Sequence, residues 1–445
     1  MIITGLVLGV LLGAVMQRGR FCVTGMLRDI FTLKSWRGIV GLLIVISVHA
    51  VGIAALTTAG IISPKPDTFA PLAVIVGSLL FGIGIVLAGG CASGTWYRSG
   101  EGLVGSWLAL VGYGVSAAAM KRGVLKPVNE FLGSRTTELT TIPASLGISP
   151  WWFALALSAL TLYAVNFYLQ RDALRGPKTR LDAPVWQRPL HLYTAGLLVG
   201  VLGVIAWPLS AATGRNGGLG ITTPSADVFS FLITANTKYL NWGTLLVIGI
   251  LIGSYLAARA TGEFRVRVPD AVQAQRSVVG GVLMGIGASW AGGCTVGNGM
   301  VQTALFGYQG WVALLFTAIG VGIAAKIWLK PTQAVEVQQA PVKDVPEFSF
   351  ATAPVALKVR TGEKTGLRQI AEQTYALDTL GAVCPFPLVD ARAAMAGLAP
   401  GDRLVIDFDC TQATETIPQW ASDEGFKVTD FRRQGNAGWQ ITVQK

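Results

Sequence analysis

Five cysteines carry most of the chemistry on offer: Cys22, Cys91, Cys294, Cys384 and Cys410. None forms a CxxC pair, and only His49 and His191 can supply imidazole, so no metal site and no cofactor are expected. An odd count gives no disulfide framework; the thiols are expected to be reduced, each with its own job or simply buried. Three of them lie in glycine-bearing segments: Arg18-Gly19-Arg20-Phe21-Cys22, Gly89-Gly90-Cys91-Ala92-Ser93-Gly94-Thr95 and Gly292-Gly293-Cys294-Thr295-Val296-Gly297-Asn298. Glycine at Gly90 and Gly293 lets backbone approach an ion closely. Free N–H groups at broken-helix ends can bind an oxyanion without a large buried charge. Ser93, Thr95, Thr295 and Asn298 add side-chain donors, and thiols are weak donors. Several weak sites in series would bind an ion without trapping it. The competing reading is packing, since cysteine behaves as a small hydrophobe and glycine pairs join membrane helices. Cys384 differs: in Cys384-Pro385-Phe386-Pro387 it directly precedes a helix, where dipole and free N–H groups favour a thiolate able to accept and pass on a sulfane sulfur. Cys410 reads as a packing residue or as a second relay thiol.

The elements that must hold these residues are mostly membrane helices. The chain is 52% hydrophobic and 13% charged, where soluble proteins carry about 25% charged residues. Residues 1–330 hold 24 Lys/Arg against 10 Asp/Glu, and the remainder 11 against 14. The basic excess lies in short loops between apolar segments, so it orients a protein in a lipid bilayer and gives no reason to expect nucleic acid. Apolar segments fall near 2–16, 38–60, 69–90, 102–119, 150–169, 192–210, 242–258, 277–291 and 308–328. Segments 2–16 and 277–291 are shorter than the roughly 20 residues of a full span, and half-helices meeting at a buried site are expected there. Met1 to Val15 lacks the basic start and cleavage site of a signal peptide. Basic loops 28–37, 171–190 and 259–276 read as cytoplasmic, which puts Met1 outside and the C-terminal part inside. Lys121, Arg122, Lys126 and Arg135 then fall outside, where they would gather anions. Arg18 and Arg20 either draw anions to the inner mouth or only orient the helix, and Arg98 and Glu101 are expected to pair.

The two Gly-Gly-Cys loops also mark a repeat. Each follows a glycine-dotted apolar segment, Phe81-Gly-Ile-Gly before one and Met284-Gly-Ile-Gly before the other, and Gly214-Arg215-Asn216-Gly217-Gly218 answers the Cys22 loop without a cysteine. Halves at about 1–120 and 190–330 would be inverted, with segment 150–169 supplying the inversion. No GxxxxGK[ST] run is present, so ATP is not the direct driver, and no acidic residue reads as a proton relay. Residues 331–370 read as a proline-spaced linker. Residues 371–445 read as a small α/β domain with strands near 375–378, 402–408, 426–431 and 438–443 and helices at 387–398 and 417–424.

Residues Leu377 to Thr429 resemble the TusA-like (SirA-like) sulfur-carrier family in Cys384-Pro385-x-Pro387, Leu398-Ala-Pro-Gly-Asp402 and Ile417-Pro418-x-Trp420. That resemblance implies a two-layer α/β sandwich and a persulfide carried on Cys384. Asp409-Cys410-Thr411 stands where the family has Asp-Asp-Pro. Residues 1–330 resemble the YeeE/YedE family of sulfur-transport proteins, through Arg18-Gly-Arg-Phe-Cys-Val-Thr-Gly25 and the loops at Cys91 and Cys294. This implies thiosulfate uptake across a bacterial or archaeal cytoplasmic membrane, with Cys22, Cys91 and Cys294 lining the path, and cytoplasmic sulfurtransferases as possible partners. The fold class expected is a polytopic α-helical membrane protein with inverted repeats and broken helices, joined to a C-terminal α/β sandwich. Rival readings are a transmembrane sulfurtransferase that relays only the sulfane sulfur to Cys384, and a permease for a selenium compound. Copper import is disfavoured by the scattered methionines.

Overall fold

The protein is described by a computed structural model covering residues 2–175, 179–329, 367–435 and 438–445. It forms two compact units, Met1–Pro177 with Pro184–Leu329, and Lys178–Ala183 with Lys330–Lys445. Most of the expected linker, residues 331–366, lies outside the described residues.

The first unit is helical. In order come α1 (Ile3–Arg18), α2 (Val23–Thr32), α3 (Arg37–Thr58), α4 (Pro71–Leu87), α5 (Ala92–Gly100), α6 (Val104–Arg122), α7 (Lys126–Gly133), α8 (Ile142–Leu146) and α9 (Pro150–Leu174). Then follow α10 (Leu192–Ala211), α11 (Thr222–Thr234), α12 (Trp242–Ala260), α13 (Ala271–Trp290), a π-helical turn Gly297–Gln302, and α14 (Tyr308–Trp328). Among the described residues, seven helical stretches are long and apolar enough to cross a membrane; two, Ile3–Thr32 and Pro71–Gly100, are broken midway. The breaks have local causes. Arg20 takes a left-handed φ of 50°, and Gly89 and Gly292 take φ 71° and 74°, which ends the preceding helix and redirects the chain.

The short segment expected at 277–291 is a full helix of 20 residues. Its polar first turns, capped by the Asp270 side chain on the Gln273 N–H (2.7 Å), hid its start from hydropathy. The half-helices are instead α2, α5 and α11, together with the π-helical turn.

Helix pairing is reciprocal between the halves: α1 packs on α12 and α10 on α3; α6 packs on α13 and α14 on α4; α4 and α13 pack on each other. The repeat therefore survives as packing. Glycine permits it, because without side chains backbones can approach closely. A Cβ added at Gly9 would sit 2.1 Å from the Leu246 carbonyl oxygen. At the α4–α13 crossing, one at Gly77 would sit 2.6 Å from the Gly287 carbonyl oxygen, and one at Gly287 would sit 2.6 Å from that of Gly77. Between the halves, α9 packs on α3, where the Ser47 and Thr161 hydroxyls meet at 2.7 Å, and most of its surface is exposed.

The second unit holds a mixed sheet of β1 (Arg368–Ala371), β2 (Thr374–Thr379), β3 (Arg403–Phe408), β4 (Lys427–Gln434) and β5 (Gly438–Gln444), in the order β1-β2-β3-β5-β4. Strands β2 and β3 run parallel, joined through α15 (Phe386–Ala396); α16 (Ala413–Glu424) joins β3 to β4. β3 alternates exposed or half-buried with buried positions, so Leu404, Ile406 and Phe408 face a core with Trp439, Ile441 and Val443. β1 is a strand that the polar stretch ahead of residue 371 did not suggest.

Candidate functional site

Cys22 is the residue before α2 and Cys91 the residue before α5, both in extended backbone. The first N–H groups of any helix lack intrahelical acceptors, and neither helix has an oxygen side chain capping them; the Gly25 N–H meets the Cys22 sulfur. Both cysteines are almost wholly buried, and their side chains meet each other. The position a Cβ would take at Gly94 lies 3.4 Å from the Cys91 sulfur and 3.6 Å from that of Cys22, so both thiols lie against the same turn of α5. The Cys91 thiol also meets the Ser93 hydroxyl at 3.4 Å and faces Thr295 from the second half. Cys294, in the break after α13, lines a small cavity with Ser78, Thr295, Asn298, Gly299 and Thr317. Tyr113 lies within electrostatic range of both Cys91 and Cys294. The three breaks thus bring Cys294, Thr295, Cys91 and Cys22 into one buried neighbourhood.

The expected polar donors divide by role. Thr295 has a buried hydroxyl with no oxygen or nitrogen partner among the described residues, and so does Thr24, two residues beyond Cys22, which spacing did not single out. Asn298 is occupied: its amide donates to the carbonyls of Ala291 (2.8 Å) and Gly293 (3.1 Å) and accepts from Gln309 (2.9 Å), bracing the Cys294 loop. The Thr95 hydroxyl donates to the Ala92 carbonyl at 2.8 Å. Gly90 and Gly293 stand beside the cysteines in the two loops, and a Cβ at Gly293 would approach Asn298 Oδ1 to 3.1 Å.

Arg20 is engaged by carboxylates. Its guanidinium donates to Glu263 at 2.5 Å and lies 3.6 Å from Glu101, while Gln17 donates to Glu263 at 2.7 Å; all four side chains are buried. Glu101 therefore faces Arg20, where the sequence suggested Arg98. Arg98 instead donates to the Gly89 carbonyl and stacks over Tyr97, fastening the first Gly-Gly-Cys loop. This cluster joins residues 17, 20, 101 and 263, and no local pattern pointed to it. Of the basic residues near 121–135, Arg122 pairs with Asp227 and Lys126 with Glu130.

In the second unit Cys384 is half-buried and directly precedes Pro385, the N-cap of α15. Pro387 occupies the first turn, where proline's missing N–H costs nothing. Cys384 and Cys410 are brought side by side, their Cα atoms 6.0 Å apart across 26 residues of sequence, a separation that allows a disulfide. The sheet topology brings them together, and spacing alone could not reveal it. Cys22, Cys91 and Cys294 are free.

Residues 18–323 match the sulphur transport family and residues 375–445 the sulfurtransferase TusA family. A thiosulfate transporter, TsuA, of Escherichia coli is 46% identical over 334 residues, covering 74% of this chain and 94% of that protein. The Spirochaeta thermophila protein of the same name is 34% identical over 335 residues, covering 72% and 97%. A putative sulfur carrier protein, TsuB, of Escherichia coli is 61% identical over 69 residues, 16% of this chain and 92% of its own length. Broken helices around buried thiols, a sheet domain bearing a helix-end cysteine, and these matches lead to one statement: the chain is a multi-pass membrane protein of the sulphur transport family, with a TusA-type domain at its C-terminal end.

Proposed function

We propose that the protein takes up thiosulfate across the cytoplasmic membrane of a bacterium or archaeon along Cys294, Cys91 and Cys22, and that the C-terminal domain accepts sulfur on Cys384. The observation that carries this reading is the meeting of the Cys22 and Cys91 thiols at two helix N-termini that no oxygen side chain caps, beside the buried hydroxyls of Thr295 and Thr24. Backbone N–H groups and hydroxyls suit the oxygens of the ion. Thiols suit its terminal sulfur, which sulfate lacks. In the orientation set by the basic loops, Met1 lies outside, and the inner end holds the Arg20–Glu263–Glu101 cluster. The resemblance in sequence to thiosulfate transporters supports the substrate.

The test is uptake of thiosulfate labelled separately on its two sulfurs, in cells without another importer. Entry of both labels, lost in Cys91→Ala and kept in Cys384→Ala, is expected. Entry of the outer sulfur alone, dependent on Cys384, would instead make the chain a transmembrane sulfurtransferase.

A further inference from the structure

The proposed carrier role of the C-terminal domain uses one cysteine, and the fold supplies two. Strands β2 and β3 lie parallel with Thr379 opposite Phe408, so the chain leaves both at the same edge of the sheet. Gly381, at φ 79°, turns the first exit toward Cys384; the second exit reaches Cys410 after two residues. Asp409 fastens the two exits together by accepting from the Gly381 N–H at 2.9 Å. Cys410 is buried beneath the half-buried Cys384, with their Cα atoms 6.0 Å apart, inside the usual disulfide range. The pairing is built by strand register and a hydrogen bond, on residues far apart in sequence.

We propose that Cys410 is a resolving thiol that discharges a Cys384 persulfide as sulfide, an inference that rests on the reading of Cys384 as sulfur acceptor. The Cys410 thiolate attacks the Cys384 sulfur, forming the Cys384–Cys410 bond. The bond between Cys384 and its outer sulfur breaks, and that sulfur leaves with the electron pair and its proton as hydrosulfide. The sulfane sulfur is thereby reduced, and the two cysteine sulfurs are oxidised to a disulfide. An external dithiol of the thioredoxin kind, or a glutathione-like thiol, returns the pair to two thiols by exchange. The Cα separation puts Cys410 in bonding range of the inner sulfur, which selects sulfide release over transfer of the outer sulfur to Cys410. The domain then delivers sulfur in two forms, as a persulfide to a bound acceptor and as free sulfide when no acceptor comes.

The experiment uses the purified full chain, reduced, loaded with sodium polysulfide, desalted, and left without reductant. Sulfide release is followed, with masses of the peptides bearing Cys384 and Cys410. Wild type is expected to lose the added sulfur from Cys384, release one sulfide per chain and gain the Cys384–Cys410 cross-link in step. Cys410→Ser and Cys410→Ala are expected to keep the persulfide and to lose sulfide release. Release from both variants at the wild-type rate, or a persulfide that appears on Cys410 in place of the cross-link, overturns the proposal; the wild-type cross-link stoichiometry decides it even if a variant misfolds. A stable persulfide on wild-type Cys384 sinks the resolving role and leaves the acceptor role standing. No added sulfur on Cys384 in any form sinks both. Because loading bypasses thiosulfate, failure of the uptake experiment leaves this result independent.

Discussion

A buried hydroxyl without a full hydrogen bond carries a desolvation cost of roughly 1–3 kcal/mol, and Thr295, which meets the weakly bonding Cys91 thiol, bears part of that cost. Such a group is retained where something else supplies the partner. If that partner is the transported ion, Thr295→Val removes a donor from the path while leaving the fold no worse off, because an apolar group of the same shape needs no bond. Uptake should fall by about tenfold to a hundredfold, the worth of a hydrogen bond to a charged group. The thermal unfolding midpoint in detergent should hold or rise. A fall in both would mean that Thr295 is structural. The contrast with Asn298, whose amide is spent on the carbonyls of Ala291 and Gly293 and on Gln309, shows that neighbouring polar residues of one motif can have different work. Sequence placed both in one candidate set because motif membership says which residues are adjacent and nothing about which are already bonded. The Arg20–Glu101–Glu263 cluster was invisible for the complementary reason: its members meet only through tertiary packing of three separate loops.

At the level of helices, glycine sets how close two of them come, and α1 against α12 is the tightest case of mutual backbone approach. Gly9→Ala would drive a Cβ to 2.1 Å from the Leu246 carbonyl oxygen and 3.0 Å from the Gly249 Cα, atoms that cannot turn aside. A loss of about 1–3 kcal/mol or more is expected, read as a lowered unfolding midpoint and reduced yield. Gly133→Ala, where nothing lies within 4 Å, should be neutral. Hydropathy found α3, α9, α10, α12 and α14 because each is a continuous apolar run of about the right length. It missed α2, α5 and α11, which are short and mix polar with apolar residues since they are surrounded by protein on most sides. It also cut α13 short at its polar, capped beginning. In the sheet domain, strand alternation was legible in β3 and β5, whereas β1, with most of its residues exposed, left no pattern to read.

For the whole molecule, orientation in the membrane is the property that ties transport to the carrier domain. Exposed Ser134 lies in the connection between α6 and α9, and exposed Arg265 between α12 and α13. With Met1 outside, a membrane-impermeant maleimide should label Ser134→Cys in intact cells, and Arg265→Cys only after the membrane is opened. The opposite pattern would place the carrier domain on the wrong face to receive imported sulfur. The two-part organisation was legible from the shift in charge and from the motif at Cys384, while the pairing of Cys384 with Cys410 required the parallel register of β2 and β3.

Helix α9, 25 residues long, makes few contacts beyond α3 and shows most of its side chains outward. If it crosses the membrane once, as its length and composition allow, it changes the parity of crossings between the halves and lets the second enter from the opposite face. Parity depends on there being a crossing and hardly at all on which apolar residues make it. Sequence drift along α9 should therefore be tolerated widely, and an unrelated hydrophobic helix should replace it, whereas its deletion would flip one half and dismantle every pairing between them. The segment is interchangeable in detail and indispensable in presence.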